Sequence, residues 1–301
     1  MQSRMMTEET EKKMPGPMFL GIDGGGSKCK ARLADGTGKF FGEGVAGPAN
    51  VFQDQRQARR SIVESAQRAL ASAHLPDTDI KNLVVGAGLA GANIPRVARE
   101  TEEWDHPFAK FYVGTDIHIA CLAAHGAADG AVIVAGTGSV GYSTINEISY
   151  GGHGFPFGDK GSGAWLGLEA VKAVLQADDG LAPETALSRA LESQLAASGL
   201  GIVDAMVGAS SRDYGALAPL VLECAQRGDP VALEIVREGA AYLSDMAEKL
   251  LGTSEGRLCL LGGLGERLQA WMRPEIVARV VPALGQPDEG AVRFAIQCYD
   301  G

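Results

Sequence analysis

Short apolar runs with strand-like alternation are separated by longer segments with helical spacing from residue 18 onward. MFLGID, CKARLAD and FFGEGVAG predict three strands joined by tight turns. Residues 54–74 carry apolar side chains at 58, 62, 63, 66, 69 and 70, which predicts a helix with Asp54 as its N-cap. The strands NLVVGAGLAG and FYVGTD and the helix IHIACLAAHGA follow. The first half therefore has the predicted order β-β-β-α-β-α-β-α.

The pattern then starts again with AVIVAGTGSVGYSTI, another strand, glycine turn and strand. Helices are predicted near 162–178, 183–198, 214–227 and 229–251, followed by the strand RLCLLGG, the short helix LGERLQAWM and a last helix from about 288. This order predicts two α/β domains around a cleft, residues 18–118 and 119–301. We expect residues 1–17 to be a flexible tail and the last helix to pack back on the first domain.

Composition narrows the function classes for this chain of 301 residues. Its net charge of −10 and the absence of a basic block argue against nucleic-acid binding. The five cysteines are dispersed, as is typical of reduced thiols, and no apolar run is long enough to cross a membrane. We therefore expect a cytoplasmic protein without a membrane partner. Glycine contributes 41 residues, nearly twice the usual share of about 7%, which indicates tight turns or close approach of the backbone to a ligand.

Two glycine-rich stretches fail the tests for familiar nucleotide loops. GAGLAG and GTGSVG both match G-x-G-x-x-G, but a dinucleotide site needs a helix directly after the glycines. YSTINEISY favours a hairpin after the second stretch, and no strong helix follows the first, because Asn93 and Pro95 interrupt it. GIDGGGSK is not a Walker A loop, because Ser27 precedes Lys28 and the chain continues as a strand.

Two readings of GIDGGGSK remain, a plain hairpin turn and a phosphate cradle with Asp23 beside a metal ion. Successive N–H groups in a glycine turn converge on an anion, and hydroxyls of Ser27, Thr137 and Ser139 add hydrogen bonds to phosphate oxygens. Mg²⁺ favours one or two carboxylates together with phosphates and waters, which suits Asp23. GTGS at the equivalent place in the second half favours the cradle.

GIDGGGSK, GTGS and GGLG, in this order, resemble the two phosphate motifs and the adenosine motif of the actin-like ATPase superfamily. GPANVF, GTD, VAGTGS and GDKGSGAWLG resemble its N-acetylglucosamine/glucosamine kinase branch, which is related to BadF/BadG-type ATPases. The resemblance runs from about Met18 to the end. It implies two ribonuclease-H-like domains and an ATP- and Mg²⁺-dependent kinase that phosphorylates the 6-hydroxyl of an amino sugar, and it leaves a homodimer open.

The resemblance also assigns roles to residues. Asp116 would be the catalytic base and a sugar ligand, Asn50 and Asp159 would bind the sugar, and Asp23 would serve the metal ion. The nucleotide would be bound by Asp23, Gly24, Gly25, Gly26, Ser27, Lys28, Gly136, Thr137, Gly138, Ser139, Gly262, Gly263 and Gly265. The residues alone leave an alternative open for each position. Asp116 would be a helix cap, Asp159 an ordinary loop aspartate, and Asn50 a turn residue.

Two rival functions share this fold. Activator ATPases of hydroxyacyl-CoA dehydratases and benzoyl-CoA reductases also resemble GIDGGGSK, but they need paired cysteines for an iron–sulphur cluster. A sugar-sensing module without turnover is the other rival, and retention of Asp23 and Asp116 argues against it. Lys160 stands where many relatives carry an acid, which puts a metal role at that position in doubt. The sequence leaves open whether the sugar carries a free amine or an acetamide.

Overall fold

The computed structural model describes residues 16–126, 128–253 and 256–301. Most of the predicted tail, residues 1–15, lies outside the described residues. The chain divides into two compact units, one formed by Met1–Asp116 with Ala291–Gly301 and the other by Ile117–Gly290. None of the helices in the described ranges is both long and apolar enough to span a membrane.

The first unit contains a five-stranded sheet with three helices and one 3-10 turn. Its elements in chain order are β1 (Met18–Gly24), β2 (Cys29–Ala34), β3 (Phe40–Ala46), α1 (Gln55–Ser72), the 3-10 turn (Asp77–Asn82), β4 (Leu83–Leu89), α2 (Pro95–Glu102) and β5 (Lys110–Thr115), with most of the last helix, α12 (Pro287–Asp300), added at the end. The strand order is β3-β2-β1-β4-β5. β1, β4 and β5 are parallel, and β2 and β3 are antiparallel to their neighbours.

Alternation along β1 assigns its side chains to two faces of this sheet. Leu20 and Ile22 are buried in the core that includes α1, whereas Phe19 belongs to a smaller cluster with Val292 and Ala295 of α12. The last helix therefore packs on the sheet of the first unit. Phe19, Gly21 and Asp23 share the face toward α12, which leaves Asp23 at the carboxyl end of the strand on that face.

The second unit contains a four-stranded sheet of order β8-β7-β6-β9 and most of the helices. Its elements are α3 (Asp116–His125), β6 (Gly130–Ala135), β7 (Ser139–Ser143), β8 (Ile148–Gly151), α4 (Gly163–Asp178), α5 (Ala186–Leu195), α6 (Leu200–Ala205), α7 (Ser211–Gly215), α8 (Ala218–Gln226), α9 (Pro230–Leu251), β9 (Arg257–Leu261), α10 (Gly265–Leu268) and α11 (Pro274–Val277). β6 and β9 are parallel, and β7 is antiparallel to both β6 and β8.

The apolar stripe of α9 holds this unit together. Ile235, Val236, Leu243 and Leu250 are buried with the inward-facing side chains of β6 and β9. Asp229 caps the helix and accepts hydrogen bonds from Ala232 N and, from α5, Leu187 N, both at 3.0 Å. One buried carboxylate therefore connects two helices of the second unit.

The predicted order of the first half is confirmed, and so is the hairpin after GTGS. Pro95 was expected to interrupt a helix, but it is the first residue of α2. A proline is tolerated there because the N–H groups of a first helical turn have no partner within the helix. β8, α6 and α11 were not predicted, since each has at most six residues and little periodicity. The helix expected over 214–227 is two pieces, α7 and α8, separated around Leu217.

Candidate functional site

The parallel strands of the first unit bring several predicted site residues to one edge of its sheet. Asp23 of β1 is in register with Gly88 of β4, which is in register with Gly114 of β5. Since adjacent strands lie about 4.8 Å apart, Asp23 and Gly114 are separated by roughly two strand spacings, ~10 Å, and Asp116 lies two residues beyond Gly114. The carboxyl ends of β1 and β5 thus present two aspartates at the same edge.

The turn after β1 is open on its outer side. Gly25 N donates to Lys28 O at 3.0 Å, and Ala49 N donates to Gly25 O at 2.9 Å. Gly26, Ser27 and Lys28 are exposed, and a Cβ added at Gly26 would meet no atom within 4 Å. The backbone of this turn is therefore accessible to an anion.

Gly24 is closely packed inside the protein. A Cβ at position 24 would lie 2.5 Å from Cδ2 of Leu89 and 3.1 Å from Cβ of Ala49. Gly24 is buried, and its carbonyl accepts a hydrogen bond from Ala90 N at 2.8 Å. Its predicted contact with phosphate stays a prediction, whereas its part in joining β1, β4 and the Asn50 segment is observed.

Asn50 is fixed by an Asx turn. Its Oδ1 accepts hydrogen bonds from the N–H groups of Phe52 and Gln53, both at 3.0 Å, and Val51 N donates to Ala90 O at 3.0 Å. The side-chain carbonyl is thereby used, and the amide NH₂ remains as a donor. Asn50 was expected both to donate to and accept from a ligand, and the geometry favours donation alone.

Asp116 is exposed and is the first residue of α3, which begins one residue earlier than predicted. A carboxylate in the first turn of a helix interacts favourably with the partial positive charge of the helix N-terminus. The ionised form that a general base needs is therefore favoured at this position.

In the second unit, the turn Gly136–Gly138 joins β6 and β7 at the carboxyl end of β6. Ala135 O lies beneath it and accepts a hydrogen bond from Leu264 N at 3.1 Å, so the GGLG segment and the turn share an anchor. A Cβ at Gly262 would lie 2.4 Å from Ala135 O, and Gly262 has φ +84°. Only glycine fits there. Gly263 faces open space, and Gly265 begins α10.

The side chain of Ser139 is used inside the protein. The residue is buried, and its hydroxyl donates to the carbonyl of Lys160 at 2.8 Å. A hydroxyl has one proton, so Ser139 Oγ has no second hydrogen to give to a phosphate while this bond exists. The expected hydrogen bond from this hydroxyl to a phosphate oxygen therefore stays a prediction that requires the bond to Lys160 O to break. Thr137 is exposed at the tip of the turn, and it is the hydroxyl of this motif that remains accessible.

Asp159 lies against the same turn. It is 8% exposed and adopts a left-handed backbone conformation with φ +62°. Burial raises the pKa of its carboxyl above the ordinary value, while the backbone N–H groups of Ser139 and Gly154 and the nearby His153 act in the opposite direction. The sugar contact that the resemblance implies stays a prediction, since backbone N–H groups already lie close to the carboxylate.

Lys160 is directed to a partner on α9. Its Nζ lies 2.7 Å from Oε1 of Glu238 and 5.7 Å from the ring centroid of Trp165. Sequence reasoning had no signal for this ion pair, because its members are 78 residues apart. The position at which the family resemblance implies an acid is thus filled by a paired cation.

The cysteines do not form a cluster site. Cys29, Cys121, Cys224 and Cys259 are buried, Cys298 is partly buried, and all five are free thiols. Burial raises the pKa of Cys29 and Cys121 to about 12, which disfavours the thiolates that iron–sulphur clusters require. Within the described ranges no group of three or more His, Cys, Asp or Glu side chains is arranged to hold a metal ion.

Two α/β units, each with a glycine turn at the carboxyl end of its first parallel strand, define an actin-like ATPase fold. The chain belongs to the BadF/BadG/BcrA/BcrD ATPase family, whose model matches residues 20–295. It is 36% identical over 279 residues to a glucosamine kinase of Vibrio cholerae, covering 92% of this chain and 95% of that protein. It is 26% identical over 255 residues to an N-acetyl-D-glucosamine kinase of Dictyostelium discoideum, covering 78% and 79% of the two chains.

The structure is similar to that of a putative N-acetylglucosamine kinase from Chromobacterium violaceum. The TM-score is 0.82 at 29% sequence identity, with 93% of this chain and 99% of that chain covered. The predicted fold is therefore confirmed, together with the predicted family.

Proposed function

We propose that this protein is an ATP-dependent amino-sugar kinase that transfers the γ-phosphoryl group to the 6-hydroxyl of glucosamine or N-acetylglucosamine. The observation that carries the proposal is the edge of the first sheet, where Asp23 and Asp116 follow parallel strands in register. The curated relatives named as glucosamine and N-acetylglucosamine kinases support the substrate class. The 36% identity to a glucosamine kinase makes glucosamine the first substrate to test.

We assign to Asp116 the role of general base, which accepts the proton of the attacking hydroxyl. As that oxygen forms its bond to the γ-phosphorus, the bond from phosphorus to the bridging oxygen breaks, ADP leaves, and the carboxylate of Asp116 accepts the proton. Exposure of Asp116 and its place in the first turn of α3 support this role, because both favour an ionised carboxylate within reach of a ligand.

In each unit, the backbone N–H groups of the glycine turn are assigned to phosphate binding, and in the second unit Thr137 adds its hydroxyl. Gly25 and Gly26 in the first unit and Gly136 in the second face accessible space, as close approach of a polyphosphate requires. The adenosine moiety is assigned to the Gly262–Gly265 segment, whose backbone is held by Ala135 O.

The donor set fits a magnesium ion bound mainly through the nucleotide. Mg²⁺ needs one or two carboxylates besides phosphate and water oxygens, and Asp23 is a partly exposed carboxylate beside the first turn. When bound, the ion would neutralise charge on the phosphates. Asp23 would hold it directly or through a water molecule, and Lys160 would take no part.

A substrate panel tests the proposal. We expect ADP release with ATP to depend on glucosamine or N-acetylglucosamine, and to be much lower with glucose and N-acetylmuramic acid. Phosphorus–proton coupling in the product's NMR spectrum should place the phosphate on carbon 6. ATP hydrolysis that no sugar stimulates would contradict the kinase assignment, and bound iron in the purified protein would favour the activator ATPases.

A further inference from the structure

The segment Gly158–Ala164 forms several hydrogen bonds with the Gly136–Ser139 turn of the second unit. Besides the Ser139 hydroxyl bond to Lys160 O, Gly163 N donates to Gly136 O at 2.7 Å and Ala164 N donates to Thr137 O at 3.2 Å. Two carbonyls of the turn are thus held by the first turn of α4. The carbonyl of Ser139 also accepts a hydrogen bond from Gly152 N at 2.9 Å, and the side chain of Asp159 contacts the turn as well.

Asp159 reaches the turn and a second loop at once. The backbone N–H groups of Ser139 and Gly154 lie close enough to its carboxylate to lower its pKa, against the effect of burial. A Cβ added at Gly138 would lie 2.9 Å from Oδ2 of Asp159, so this oxygen is directly against the turn. Gly154 belongs to the exposed loop after β8, which contains Phe157 at 95% exposure.

The backbone at Asp159 is adapted to this contact. A φ of +62° is uncommon for a residue other than glycine, and Asp and Asn tolerate it better than most residues. The peptide is fixed from the other side as well, because Ser162 N donates to Asp159 O at 3.0 Å. A buried carboxylate on a left-handed backbone, with one oxygen directly against the turn, has the features of a positioning group.

We propose that Asp159 is a positioning residue that ties the Gly136–Ser139 turn to the loop after β8, and so sets the turn for the nucleotide before any sugar binds. This inference rests on the proposed function, and it goes beyond the sugar contact that the family resemblance implies. Ser139 contributes its hydroxyl and Lys160 its backbone carbonyl to this arrangement, and neither group contacts the ligand.

Nucleotide binding in the absence of sugar separates this role from a sugar contact. Asp159→Asn keeps the shape and tolerates the left-handed backbone, but an amide has one acceptor oxygen and presents NH₂ in place of the second oxygen. We expect the Kd of the non-hydrolysable analogue AMPPNP, measured by calorimetry without sugar, to rise about tenfold, as loss of one charge-assisted hydrogen bond would give. A residue that contacts only the sugar would leave this Kd unchanged.

Asp229→Asn is the matched control. Asp229 is also a buried aspartate of the second unit with two backbone N–H partners, but it connects α5 with α9. Both substitutions should lower Tm, and only Asp159→Asn should weaken AMPPNP binding. Equal AMPPNP affinity in Asp159→Asn and the unsubstituted protein, with a raised KM for the sugar, would overturn the proposal.

Hydrogen exchange in the unsubstituted protein supplies a second test that needs no folded variant. The tie predicts slow exchange of the Gly154 amide, although Gly154 is exposed, and faster exchange of the Phe157 amide in the same loop. Equally fast exchange at both positions would also overturn it. If the unsubstituted protein bound no AMPPNP at all, the kinase assignment would fail, while the exchange experiment would still decide on the tie.

Discussion

The two glycine turns lie at equivalent places in their units but differ in how they are held. In the turn after β1, Ser27 and Lys28 are exposed, and Gly25 forms backbone hydrogen bonds with Lys28 and Ala49. The turn after β6 is hydrogen-bonded to the segment Gly158–Ala164, and the hydroxyl of Ser139 takes part in this contact. The first unit thus presents polar side chains at its sheet edge, whereas the second presents mainly backbone.

This difference suggests a division of labour between the two units. Substitutions at the edge of the first sheet should change catalysis with little effect on stability. Substitutions around the second turn should change stability and nucleotide affinity, because the side chains there hold the backbone in place. Each prediction below tests one side of this comparison.

Asp116→Asn should give the largest effect. Asparagine keeps the size of the side chain and removes the base, so turnover should fall about 10²–10⁴-fold with little change in sugar affinity. The lower end is expected, because a loose transition state needs the base less. Loss of the charge in the first turn of α3 should cost ~0.3–1 kcal/mol of unfolding free energy. Steady-state kinetics and thermal melts check both, and a variant that keeps most of its turnover would leave Asp116 without its assigned role.

Asp23→Asn should have the next largest effect, through the metal ion. If Asp23 holds Mg²⁺ directly or through water, the apparent affinity for Mg²⁺ in the presence of ATP should fall about 10–100-fold. Turnover measured against magnesium concentration should then recover partly at high Mg²⁺. An unchanged magnesium dependence would reduce GIDGGG to a hairpin turn.

Those two aspartates were selected as candidates from the sequence because they lie at the ends of apolar strands, and parallel strands end at a common edge. The cap at Asp54 was found for a similar reason, since it depends on residues three positions apart, and its side chain does accept from Gln57 N at 2.9 Å. Such local or periodic signals account for most of the fold.

The contacts of the second turn had no comparable signal. Asp159 meets Ser139 because of a left-handed φ and a tight turn, and Lys160 meets Glu238 across 78 positions. Neither depends on periodicity, so sequence reasoning assigned Ser139 and Asp159 to ligands without any signal for these contacts inside the protein. Lys160 was identified from the sequence only as a departure from relatives, and its partner on α9, Glu238, was found only in the structure.

The same substitution in both turns compares them directly. At Gly138, a methyl group would press on Oδ2 of Asp159, so Gly138→Ala should lower the free energy of unfolding by about 1–3 kcal/mol. Position 26 faces open space without a positive φ, so Gly26→Ala should change it by less than ~0.5 kcal/mol. Denaturant titrations of both variants measure the contrast, and equal losses would mean that the turns are held alike.

The smallest effect is expected at Lys160, and it offers the clearest way to break the comparison. Lys160 and Glu238 are 39% and 55% exposed, and such a pair contributes at most ~1 kcal/mol. Lys160→Gln keeps the backbone carbonyl that Ser139 needs, so turnover and its magnesium dependence should stay within about twofold of the unsubstituted values. Lys172→Gln, which breaks the exposed pair with Glu169 on α4, is the matched control. If Lys160→Gln alone shifted the magnesium dependence, a side chain of the second unit would take part in the chemistry, and the division between the two edges would be wrong.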